Sequence, residues 1–89
     1  MAARHCIVRG RVQGVGFRYF TYRAAEKHDI KGWVRNLPSG DVEMYATGDD
    51  DSMARFMEEV GRGTSLALVE YVEVRDVESK PFSGFSIER

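Results

Sequence analysis

The sequence predicts an α+β sandwich, in which an antiparallel sheet carries two helices on one face and gains a short extra edge strand. Two observations predict it. Apolar residues alternate with a period of two in several short segments, and two other segments switch to a helical period. The order in which these periods appear is strand, helix, strand, strand, helix, strand, with one more short strand at the end.

Arg4 to Val12 alternates, with Cys6, Val8, Gly10 and Val12 on one face and Arg9 and Arg11 on the other. Gln13-Gly14-Val15-Gly16 breaks that strand with two glycines. From Phe17 to His28 the spacing of Phe17, Phe20, Thr21, Ala24 and His28 is helical. Ile30 to Asn36 is a second short strand, and Leu37-Pro38-Ser39-Gly40 is a turn, with proline fixing φ early and glycine free to take positive φ. Asp41 to Thr47 alternates again through Val42, Met44 and Ala46, which makes strands two and three a hairpin.

Asp49-Asp50-Asp51-Ser52 offers N-cap candidates and negative charge for a helix start. Met53, Phe56, Met57 and Val60 then keep helical spacing, and Gly61 is the expected stop. Ala67 to Val77 is rich in β-formers, but Ala67 and Val69 share one parity while Val72 and Val74 share the other. A bulge near Glu70–Tyr71 explains the switch. Phe85 and Ile87 mark the last strand. This order is the ferredoxin-like, split βαβ pattern, which by itself hosts many unrelated functions.

Composition narrows the class. Of the 89 residues, 43% are hydrophobic and 30% charged, as in an ordinary globular domain. No apolar run approaches the ~20 residues of a membrane span, and the first residues lack the apolar core of a signal peptide. A cytoplasmic location is the default expectation. Cys6 is the single cysteine, so no internal disulfide and no cysteine-based metal cage can form. The net charge of −1 is unevenly spread: residues 1–35 carry eight basic and two acidic groups. A basic first third suits an anionic ligand, although a dipolar, solvated surface fits the charge equally well.

Two segments are candidates for chemistry. In Gln13-Gly14-Val15-Gly16-Phe17-Arg18, a glycine loop between strand and helix can turn backbone N–H groups inward as an anion-binding nest. Arg18 follows with a bidentate guanidinium fork. The Gly-Lys-Ser/Thr ending of a P-loop is absent. From the glycines alone, a plain turn with a surface arginine is the simpler reading. The second segment is Gly32-Trp33-Val34-Arg35-Asn36, where a turn asparagine bonding local backbone is the simpler reading of Asn36. His5 and His28 lack partners at metal-ligand spacing and are read as structural. Cys6 is read as a small buried hydrophobe, and Phe17, Phe20, Met53, Phe56, Met57, Trp33 and Tyr45 as packing residues.

Together the two segments resemble the acylphosphatase family. Gly10-Arg11-Val12-Gln13-Gly14-Val15-Gly16-Phe17-Arg18, with Val8 ahead of it, is similar to the first signature of that family, Gly-x-Val-Gln-Gly-Val-x-Phe-Arg. Gly32 to Val42, with Gly48 beyond, resembles the second signature throughout. The resemblance covers nearly the whole chain, so residues 1–89 are expected to form a single acylphosphatase-like domain. The family often has Gly-Pro after the second helix, where this chain has Gly61-Arg62, a difference confined to a loop.

The resemblance implies hydrolysis of the carboxyl–phosphate bond of acyl phosphates. It implies that the backbone of Gln13, Gly14, Val15, Gly16, Phe17 and Arg18, with the Arg18 guanidinium, binds the phosphoryl group, and that Asn36 holds the attacking water. It also implies no metal, no other cofactor and no phosphoenzyme. Implied partners are a small acyl phosphate as substrate and inorganic phosphate or sulfate as inhibitor, with neither nucleic acid nor membrane involved, and a monomer as the default state.

Other readings differ in class. A non-catalytic ferredoxin-like module binding an anion or RNA shares the element order. RNA-recognition domains, however, stack bases on third-strand aromatics, and Asp41 to Thr47 has one aromatic and no basic residue. A carbamoyl-phosphate-processing relative, of the kind fused into hydrogenase-maturation proteins, is the other reading. The chain's end soon after the last strand favours a free-standing enzyme.

Overall fold

Alternation along the first strand puts Cys6, Val8 and Val12 on one side, and in the computed structural model all three are buried. Residues 1–88 are described. The elements are β1 (Ala2–Arg11), α1 (Phe17–Lys27), β2 (Lys31–Asn36), β3 (Val42–Gly48), α2 (Asp50–Arg62), β4 (Leu68–Asp76) and β5 (Phe85–Glu88). The sheet order is β4-β1-β3-β2-β5.

The four long strands pair antiparallel, and both helices pack on one face, as the ferredoxin-like reading requires. β5 adds to the edge of β2 in parallel, with Gly32 opposite Phe85 and Arg35 opposite Glu88. The five-stranded sheet is therefore mixed. The core lies between sheet and helices: Cys6, Val8, Val34, Val42, Met44 and Ala46 from the strands meet Phe17, Ala24 and Ala25 of α1 and Met53, Phe56 and Val60 of α2. Burying a side chain of this size contributes ~1.5–3 kcal/mol, and Phe56 and Val60 are fully buried.

The bulge expected near Glu70–Tyr71 is present. Arg9 pairs with Tyr71 and Gly10 with Val69, which leaves Glu70 unpaired. The helix stop expected at Gly61 is corrected. α2 runs through Arg62, and the chain turns at Gly63, whose N–H donates to the carbonyls of Val60 and Glu59. Gly63 has φ +69, whereas Gly61 sits inside the last helical turn. The glycine that takes the positive φ ends the helix, not the first glycine met.

Candidate active site

β1 delivers the chain to a loop, 12–16, whose two glycines take left-handed backbone, Gly14 at φ +73 and Gly16 at φ +74. A Cβ at either position would meet nothing within 4 Å, so glycine is needed there for φ and not for space. Gly16 is also the N-cap of α1. No side chain caps this helix, and no acidic residue stands in its first turn. Phe20 makes the first helical hydrogen bond, to the Gly16 carbonyl at 3.0 Å. The amides before it have no partner within the helix. The loop and helix start thus present backbone donors and an uncompensated positive dipole end to one place.

Arg18 sits in that first turn, half-buried. Its Nη1 donates to the Glu88 carbonyl at the end of β5, at 3.4 Å, and among the described residues it forms no ion pair with a carboxylate. Asn36 is the last residue of β2. Its Oδ1 is buried and accepts no hydrogen bond among the described residues. Such an oxygen is costly to leave bare, and a water inside the site would satisfy it.

These groups line one cavity of about 200 Å³, formed by Val12, Gly14, Gly16, Phe17, Arg18, Tyr19, Asn36 and Ile87. The fold therefore brings together Gly14, Gly16, Phe17, Arg18 and Asn36 from the sequence candidates. Phe17 is 1% exposed, so its ring belongs to the core. Gln13 and Val15 do not line the cavity. Val15 packs against the core, and the Gln13 side chain turns toward the β2–β3 turn, where its Nε2 donates to the Leu37 carbonyl at 2.7 Å and the Asp41 carbonyl at 2.8 Å. Val12, Tyr19 and Ile87 line the cavity without having been singled out in the sequence. Tyr19 directly follows Arg18, which was a usable signal. Ile87 arrives only because β5 lies beside β2, and nothing in a four-residue segment announces that.

Among the described residues, the cavity's lining includes no carboxylate, histidine or thiol. Burial pushes the Cys6 thiol up to about 12, against a small pull from Arg4, so it stays protonated. His5 donates to Glu43 at 2.8 Å and His28 to Glu59 at 2.9 Å, each a cross-link between elements. Among the described residues no three of His, Cys, Asp and Glu gather as a metal site. A larger hollow, about 350 Å³, lies at the other end of the sheet near Lys31, Asp49 and Lys80. Asp29 and Asp49 share that lining, and the α2 start there already carries Asp50 and Asp51, so that helix end is compensated. The smaller cavity joins Arg18 to a helix start that no acidic residue compensates.

The acylphosphatase family model matches residues 4–87. An acylphosphatase of Archaeoglobus fulgidus is 45% identical over 87 residues, covering 98% of each chain. The crystal structure of an acylphosphatase from Bacillus subtilis superimposes over the whole of both chains with a TM-score of 0.96 at 39% identity. Full-length HypF, solved in a phosphate- and nucleotide-bound form, matches with a TM-score of 0.88 at 31% identity, but this chain covers 12% of it. No helix is long and apolar enough to cross a membrane. With its fold and nearly its whole length matched, the chain belongs to the acylphosphatase family, hydrolases that act on small acyl phosphates.

Proposed function

We propose that the chain hydrolyses acyl phosphates by direct attack of a water held by Asn36 on a phosphoryl group bound by loop 13–18 and Arg18. The observation that carries this reading is that Asn36, whose buried Oδ1 accepts no hydrogen bond among the described residues, lines the same cavity as Arg18 and the glycine loop. Loop amides and guanidinium stabilise charge on the equatorial phosphoryl oxygens, which is most of what phosphoryl transfer asks of a protein.

Asn36 has no basic group at neutral pH. Its Oδ1 accepts a hydrogen bond from the water and so aims the oxygen lone pair at phosphorus. As the new P–O bond forms, the bond to the acyl oxygen breaks and its electron pair leaves with the carboxylate. A carboxylate is a weak base, so no strong general acid is required. The water's proton passes to a phosphoryl oxygen. That accounting supports turnover in a cavity whose described lining has no histidine or carboxylate.

On this reading residues 1–89 act as one cytoplasmic, monomeric domain, with inorganic phosphate or sulfate as competitive inhibitor. The test compares phosphate release from benzoyl phosphate and from a simple phosphomonoester. The monoester leaves as an alkoxide or phenoxide and needs an acid that the cavity lacks. Rapid release from the acyl phosphate alone is the expected result, and equal rates on both would overturn the proposal.

A further inference from the structure

The two halves of the proposed site stand on strands that are not neighbours. The phosphate loop follows β1 and Asn36 ends β2, while β3 lies between them. Two strand spacings put β1 and β2 roughly 10 Å apart, so the sheet ladder alone fixes the separation of water and phosphoryl group only indirectly. A side chain of the loop itself crosses that gap. Gln13, the first residue of the 13–18 loop, donates from Nε2 to the carbonyl of Leu37, immediately after Asn36, and to the carbonyl of Asp41, immediately before β3.

Both partners are carbonyl oxygens, so the amide must present its NH2, with one hydrogen for each. The same carbonyls close the turn from inside: Gly40 N–H donates to Leu37 O at 3.1 Å, and Leu37 N–H donates to Asp41 O at 2.8 Å. Gln13 occupies the remaining acceptor site on each. A second tether, Arg9 Nη1 to Asp41 Oδ2 at 2.9 Å, lies on the half-exposed outer face and holds the Asp41 side chain, not the backbone next to Asn36.

We infer that Gln13 is a positioning residue of the site: its amide sets the distance and angle between the phosphate loop and the Asn36 side chain. The inference rests on the proposed role of Asn36 and adds that this role depends on Gln13. Gln13 touches neither phosphate nor water through its side chain. It acts on the turnover step, which is sensitive to small displacements, and little on phosphate binding, which the loop backbone and Arg18 supply.

Three variants of the full chain test this. Gln13→Met keeps the length and removes both donors. Its kcat is expected to fall ~10–100-fold, as for a small misplacement of a reacting group, with inhibition by inorganic phosphate within about threefold of the parent on the order of ordinary surface perturbations. Gln13→Glu sets an ionised carboxylate against two carbonyls. That contact raises the carboxyl pKa, and protonation returns one of the two donors. Its kcat relative to the parent should therefore climb as pH is lowered from about 8 to about 5, while the Gln13→Met ratio stays flat. Adding Gln13→Met to Asn36→Ala should cost little more than Asn36→Ala alone, because the group being positioned is already gone.

Losses that multiply in the double variant would overturn the inference, as would full turnover in Gln13→Met or a Gln13→Glu ratio that does not move with pH. Phosphate affinity falling in step with kcat would make Gln13 a shaper of the loop instead. If Asn36→Ala alone keeps its turnover, the reading of the site fails, and this inference with it. If Asn36→Ala loses turnover and Gln13→Met does not, only this inference fails. Should Gln13→Met not fold, the pH dependence of Gln13→Glu decides alone.

Discussion

Arg18 and Asn36 are asked to do different things, and their variants should differ accordingly. Arg18→Ala removes the charged fork from the phosphoryl group, so phosphate inhibition and turnover should both be lost. Arg18→Lys should recover little, because a point charge does not reproduce two parallel N–H donors. Undiminished phosphate affinity in Arg18→Ala would place the anion elsewhere. Asn36→Ala should keep phosphate affinity while kcat per folded molecule falls ~10²–10³-fold. A turn residue without a catalytic part would cost ~1 kcal/mol of stability and leave kcat alone. That Arg18 and Asn36 come to one cavity was legible in the sequence because their flanking signatures are long. The contacts of the Gln13 side chain were not, since its two partners are carbonyls 24 and 28 residues away, and backbone acceptors have no sequence identity to read.

The elements were legible where side chains alternate and illegible where only backbone geometry decides. The parity switch between Val69 and Val72 located the Glu70 bulge, because a bulge reverses which face a residue takes. The end of α2 at Gly63 and the parallel pairing of β5 with β2 depend on φ and on strand docking, which leave no periodic trace. Between the helices, a polar clasp joins the end of α1 to α2. His28 donates to Glu59 at 2.9 Å, and Lys27 lies at 3.3 Å from the same oxygen. The His28 hydrogen bond lowers the Glu59 carboxyl below its usual range, with Lys27 assisting and burial opposing. A carboxylate lowered on folding stabilises fully above its ordinary value of ~4.3 and loses that contribution as pH falls through the lower folded value. Urea unfolding of Glu59→Gln should therefore show lower stability near neutrality and a shallower fall on acidification than the parent. Parallel curves would show that the clasp contributes nothing.

Across the whole molecule, the basic first third found in the sequence supplies most of the cavity that holds Arg18. All but Asn36 and Ile87 of the lining residues come from 12–19. The acidic remainder supplies partners for other side chains: Glu43 for His5 and Arg35, Glu59 for His28 and Lys27, and Asp41 and Glu73 for Arg9. Arg18 has no carboxylate partner among the described residues. Since that charge is provided by protein groups, activity should survive EDTA. Loss with EDTA and recovery with a divalent ion would contradict a metal-free reaction. The central claim, water attacking phosphorus, is tested most directly by following the oxygen of that water. Benzoyl phosphate is hydrolysed in ¹⁸O-enriched water, and both products are weighed by mass spectrometry against an enzyme-free blank. The account predicts one labelled oxygen per turnover in the phosphate and none in the benzoate. Label in the benzoate would mean attack at the acyl carbon, and would contradict it.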